Sequence, residues 1–97
     1  MFDVIAEPTR RRILELLGER ERPVTELVEL LSLSQPGVSK HLRVLRDAGL
    51  VQVRQDGQRR WYQLDATPLA EVDAWLTPFR RFWSERLEAL EKHLEEK

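Results

Sequence analysis

Between Ser34 and Leu64 the hydrophobic period of this chain changes once, and that change limits the fold more than any other feature of its 97 residues. Val38, Leu42 and Leu45 recur at i, i+4 and i+7, the spacing of one helix face. Ser34 can accept a hydrogen bond at the start of that helix, and Pro36 fits the first turn, where an N–H would have no helical partner. Gly49 supplies the left-handed residue that ends it. Past Gly49 the alternation has period 2. Leu50, Val51 and Val53 begin one extended arm, Trp61-Tyr62-Gln63-Leu64 closes another, and Asp56-Gly57, a strong hairpin signal, lies between them. A helix over 34–48 followed at once by a two-stranded hairpin over 51–64 predicts a mainly α fold with a small β wing, a winged helix-turn-helix.

The flanks fit that plan. Pro8-Thr9 opens a helix carrying Ile13, Leu16 and Leu17, with Gly18 as its expected stop. A shorter helix, with Thr25 as its expected cap, carries Leu27, Leu30 and Leu31 and ends at Ser32-Leu33-Ser34. Downstream, Thr67-Pro68 reads as a cap and first-turn proline. Leu69, Val72, Leu76, Phe79, Trp83, Leu87, Leu90 and Leu94 then follow at spacings of three and four, and Trp75 and Phe82 widen the stripe. Pro78 predicts a kink or a fresh start capped by Thr77. The chain therefore divides into a domain over 1–66 and a helical extension over 67–97. The stripe is too long and aromatic for so small a core, so those eight residues are expected to form a dimer interface rather than fold back within one chain.

Composition excludes several classes. Hydrophobic residues make up 41% and charged residues 34%, a balance typical of folded, soluble chains. Apolar runs are too short to span a bilayer, so no membrane partner is expected. Met1 to Glu7 has no basic segment followed by an apolar stretch, which speaks against a signal peptide. The absence of cysteine removes disulfides, thiolate metal sites and a Cys nucleophile, and fits a cytoplasmic address. Ser39-Lys40-His41 cannot converge on a substrate, because consecutive helical residues point about 100° apart. With no Gly-rich phosphate loop either, neither an enzyme nor a cofactor is expected. The net charge of −1 conceals an asymmetry: Lys40 to Arg60 holds six basic residues against two acids, whereas Glu85 to Lys97 holds five acids against three bases. Such a chain can meet phosphate with one face.

The stretch from Leu33 to Val51, LSQPGVSKHLRVLRDAGLV, closely resembles the recognition-helix signature of the ArsR-type winged helix-turn-helix repressors. The likeness extends to Glu7-Pro8-Thr9-Arg10-Arg11-Arg12-Ile13-Leu14 and to the Asp-Gly wing, covering residues 3 to 65. Pro78-Phe79-Arg80-Arg81-Phe82-Trp83 and the leucine tail look like the C-terminal dimer helix of a metal-independent branch. The resemblance implies a homodimeric, sequence-specific repressor of double-stranded DNA that reads an inverted-repeat operator. By it, Ser34, Gln35, Pro36, Gly37, Ser39, Lys40 and Arg43 are expected at DNA from the recognition helix, and Arg54, Gln58, Arg59 and Arg60 from the wing. The chemistry agrees: Gln can pair with adenine, Lys and Arg with guanine, and wing arginines with phosphate. His41 is expected at the edge of the core, and Arg10, Arg11 and Arg12 on a solvated face. A metal or small-molecule effector is not expected. The family's thiolate pair falls at Pro23 and Thr25. The C-terminal site of some relatives would need Asp and His where Arg80 and Phe82 stand, leaving only His93-Leu94-Glu95-Glu96. The rival from another class is a winged-helix module that docks protein through helix and wing without binding DNA.

Overall fold

The computed structural model describes residues 2–95. In chain order the elements are α1 (Phe2–Ala6), α2 (Pro8–Glu19), β1 (Arg22–Pro23), α3 (Val24–Leu31), α4 (Gln35–Asp47), β2 (Val51–Asp56), β3 (Arg59–Leu64) and α5 (Thr67–Glu95). Their order is that of a winged helix-turn-helix, with α3 and α4 as the helical pair and β2–β3 as the wing. The core lies where α2, α3 and α4 meet the base of the wing. Ile13, Leu27, Val38, Leu42, Leu45 and Leu50 are all essentially sealed from solvent there.

Local chemistry explains most boundaries. The Glu7 carboxylate accepts the Arg10 N–H at 3.0 Å and starts α2 ahead of Pro8. Gly18 does not stop this helix, which runs to Glu19. Its C-terminus is instead tied down by Arg22, a buried arginine whose Nε donates to the Leu16 carbonyl at 3.0 Å. That carbonyl is among those at a helix end that lack a helical partner. Glu19 and Glu26 complete the site, at 2.7 and 2.6 Å from the Arg22 guanidinium. Sequence spacing gave no sign of this cluster. Arg22 and Pro23 also pair with Tyr62 and Trp61, so the expected two-stranded hairpin is a three-stranded antiparallel sheet of order β1-β3-β2.

Thr25 is not the cap of α3. The helix begins one residue earlier, at Val24, with Pro23 in the cap position and no side-chain acceptor. The start of α4 follows the expectation: Ser34 Oγ accepts the Gly37 N–H at 3.2 Å. A Cβ on residue 37 would stand 3.1 Å from that oxygen, so glycine leaves the cap room. At the far end Gly49, at φ +78°, donates to the Arg46 carbonyl, and Leu50 donates to the Leu45 carbonyl. These paired bonds close the helix as the sequence led one to expect.

The last helix is one continuous element of 29 residues, about 43 Å long. Thr67 does not cap it. The acceptor is Asp65, whose carboxylate takes the Thr67 N–H at 3.0 Å. Nor does Thr77 begin a new helix at Pro78: its hydroxyl donates to the Asp73 carbonyl within an unbroken helix. Leu69 packs on the core of its own chain, Val72 and Leu76 are half-buried, and the helix then leaves the body. The molecule is accordingly 59 Å long against 28 and 22 Å.

The bonds from Thr67 and from Gln52 hold the Asp65 carboxyl below the usual carboxylate range. A depressed folded-state pKa contributes stability that is present above the unfolded value, about 3.9, and is lost as pH falls through the folded one. Asp65→Asn should therefore flatten the stability–pH curve in that acid window and leave its shape near neutrality unchanged. Acid titration of unfolding, read by circular dichroism, checks this; identical curves for the two proteins would contradict it.

Candidate nucleic-acid interface

Because α4 buries Val38, Leu42 and Leu45, its opposite face is turned to solvent. Ser34, Gln35, Pro36, Ser39, Lys40 and Arg43 are all exposed there, with Gly37 half-buried beside the cap. The structure thus brings the seven helix residues singled out from sequence onto one end and face of one element. Arg46 shares that face, one turn beyond Arg43, and was missed. The i, i+3 spacing from Arg43 was the available signal.

The wing residues are not brought together in the same way. In the β2–β3 register, Gln55 pairs with Arg60 and Val53 with Tyr62, whereas Arg54 pairs with Trp61 and Asp56 with Arg59. Side chains alternate between sheet faces, so these pairs belong to two sides. Arg60 and Tyr62 share the face that continues the core, and Tyr62 packs against that core. Arg54 and Arg59 lie on the other face, with their guanidinium carbons 5.8 and 5.9 Å from the centre of the Trp61 ring. The loop joining the strands is Gly57-Gln58, with Gly57 at φ +63°. Glycine at the first central position, with positive φ there alone, is the pattern of a type II′ turn.

Two open cavities flank the wing. One, of about 340 Å³, separates α4 from β3 and is lined by Ser39, Leu42, Arg43, Arg46, Asp47 and Tyr62. The other, of about 310 Å³, lies between Pro23, Val24 and Thr25 and the wing-tip residues Gln58, Arg59 and Arg60. Tyr62 was also missed as a candidate, because a tyrosine in a strand reads as core.

Charge is distributed unevenly over these groups. Among the described residues Lys40, Arg43, Arg46, Arg59 and Arg60 form no ion pair. Arg54 does: its Nη2 donates to Glu21 Oε1 at 2.6 Å. Hydrogen bonds from Arg54 and Gln63 push the Glu21 carboxyl down from its ordinary range. His41 sits at the edge of the core, its side chain 24% exposed, and its Nδ1 accepts from Arg10 Nε at 3.3 Å. Of the other positions considered for an effector, Pro23 is in β1 and Thr25 in the first turn of α3. Arg80 is paired with Asp73, and Phe82 lies under Arg86. Glu96 is outside the described residues.

Comparison with known proteins now decides the family. The profile of bacterial regulatory proteins of the arsR family matches residues 7–53, from the start of α2 into β2. The HTH-type transcriptional regulator Rv2034 of Mycobacterium tuberculosis is 45% identical over 86 residues, spanning 89% of this chain and 78% of that protein. This chain belongs to the ArsR family. A second relative of the ArsR-family regulator is the transcriptional repressor SdpR of Bacillus subtilis, 33% identical over 81% of this chain and 88% of its own. Among solved structures, the homodimeric winged helix-turn-helix DNA-binding domain of Mb0332 from Mycobacterium bovis superposes with a TM-score of 0.66 at 26% identity. It covers 81% of this chain and 73% of that one. The ArsR-family chain is a transcriptional regulator with a winged helix-turn-helix fold. Among its described residues no helix is long and apolar enough to cross a membrane.

Proposed function

We propose that this regulator is a homodimeric, metal-independent repressor that acts in the cytoplasm without catalysis and binds double-stranded DNA at an inverted repeat. The observation that carries the reading is the exposed face of α4. Gln35, Ser39, Lys40, Arg43 and Arg46 share it, and none of the three basic groups is neutralised by a neighbouring carboxylate among the described residues. Such a helix suits the major groove, with its side chains on base edges. Gln58, Arg59 and Arg60 at the wing tip serve the flanking phosphates, and Arg46 with Tyr62 lines the groove between helix and wing.

The partition at 66/67 follows the same logic. Residues 1–66 carry the DNA-facing surface, and 67–97 carry the surface for a second copy. Phe2, Trp75, Phe79 and Trp83 form an aromatic ladder with successive ring centres 5.7, 5.2 and 6.3 Å apart, continued by Leu87, Leu90 and Leu94, all largely exposed. Pairing of two chains along it would set two α4 helices about 34–36 Å apart, one turn of DNA. Pro23 and Thr25, in place of thiolates, favour regulation without a soft metal.

The test is fluorescence anisotropy with duplex from upstream of the protein's own gene against scrambled duplex, across a salt series. Preference for the first, with affinity falling steeply as salt rises, is the expected result. No binding to either duplex at low salt would replace this reading with the protein-docking module. Within the assay, Arg43→Ala should relax sequence preference by about 1–3 kcal/mol at one base pair. Arg60→Ala should weaken all sequences alike and lower the salt slope by about 1. Equal effects of both variants on preference and slope would refute this division of labour.

A further inference from the structure

We propose that Arg54 is not a DNA contact but the anchor of the wing: Glu21 holds its guanidinium and so fixes the angle of the hairpin relative to α4. The DNA part of this inference rests on the DNA-binding reading above; the anchoring part does not.

The contact is two-pronged. Arg54 Nη2 donates to Glu21 Oε1 at 2.6 Å, and Arg54 Nε donates to Glu21 Oε2 at 3.3 Å. Both carboxylate oxygens are used, which fixes orientation as well as distance. Gln63 Nε2 donates to the same Oε2, so Glu21 grips one residue from each strand of the wing. These partners are 33 and 42 residues away in sequence. Glu21 lies in the connection between α2 and β1, next to Arg22, whose buried guanidinium is bonded to α2 and α3. A chain of polar contacts therefore runs from the helical body to the hairpin.

Position explains why a tether matters. Beyond Val53 every side chain out to Arg60 is exposed, so the outer wing has no apolar packing to hold it. The turn lies about 10 Å past Arg54 at the rise of a strand. A rotation at the base therefore moves the turn most, and carries Arg59 and Arg60, opposite Asp56 and Gln55, along with it. Arg54 is also on the sheet face opposite Arg60 and Tyr62, over Trp61 with Arg59, and Asp56 stands 3.9 Å from it. With two carboxylates beside it, this guanidinium is poorly placed to neutralise a phosphate. Arg59 and Arg60 carry no such partner among the described residues.

Charge reversal separates a tether from a phosphate contact. The variants are Arg54→Glu, Glu21→Arg, their combination, and Arg54→Gln, which introduces no repulsion. Amide hydrogen exchange over residues 51–64 is measured in the free protein, and anisotropy against duplex across salt is measured in parallel. Each single variant should speed exchange in the hairpin, and the double variant should restore it. In the DNA arm, Arg54→Gln should weaken binding with an unchanged salt slope, and the double variant should recover affinity. A phosphate contact would behave otherwise: the slope would fall by about 0.9 for Arg54→Gln, and the double variant would stay as weak as Arg54→Glu. That result overturns the assignment of Arg54. Unchanged exchange in all three single variants overturns the anchor whether or not the protein binds DNA, whereas failure of the wild type to bind any duplex refutes only the DNA reading.

Discussion

Replacing Trp83 and Leu87 together by glutamate should leave the protein monomeric and lower its affinity for an inverted-repeat duplex by about 10²–10⁴-fold. The two side chains are 47% and 64% exposed in the single chain, so the change removes nothing from its core. It places four charges, two per chain, along a surface that two copies are proposed to share. Burying such groups unpaired is unfavourable enough to abolish the pairing. Each winged domain would remain folded and would still bind one half-site. What is lost is the linkage that makes the second half-site an intramolecular event. Sedimentation equilibrium and anisotropy on full and half operators measure the two halves of this prediction. A wild-type protein that sediments as a single chain at micromolar concentration, yet binds the full operator as tightly as expected, would contradict it.

The second large effect is on stability. Leu45→Ala should cost about 2–5 kcal/mol, a large share of the 5–15 kcal/mol that holds a small domain folded. Leu45 is fully buried in the cluster formed by Ile13, Leu27, Val38, Leu42 and Leu50. Its carbonyl also accepts the Leu50 N–H that closes α4, so relaxation of the cavity is resisted by the helix end itself. Arg43→Ala, two residues earlier but on the exposed face, should change stability by less than about 0.5 kcal/mol. Urea unfolding at one fixed protein concentration compares them, since dissociation of the proposed dimer would add to the transition. Similar midpoints for the two variants would mean that the core does not depend on this leucine.

Much of this was legible from local chemistry. The caps at Ser34 and Gly49, the first-turn proline at 36 and the glycine turn after Asp56 all act within a few residues. Their effects therefore appear in the order in which the residues are written. The stripe from Leu69 to Leu94 was legible for a similar reason, since a helix converts spacing directly into a face. Where local reading went astray, a competing contact had taken over. Arg22 holds the end of α2 past Gly18, Asp65 supplies the cap expected of Thr67, and Thr77 bonds back to Asp73 inside the helix instead of starting a new one.

By itself, then, the sequence determined the winged helix-turn-helix plan, the face of α4 that meets solvent and the apolar stripe along α5. Each of these depends on periodicity and on turn residues. Only the tertiary structure decided that Arg22 and Pro23 add a third strand and that the exposed Arg54 is paired with Glu21. It also decided that Arg46 and Tyr62 line one groove. Those arrangements join residues far apart in the chain, and they exist because the packing of α2, α3 and α4 sets where the sheet lies. No spacing along the sequence encodes that distance.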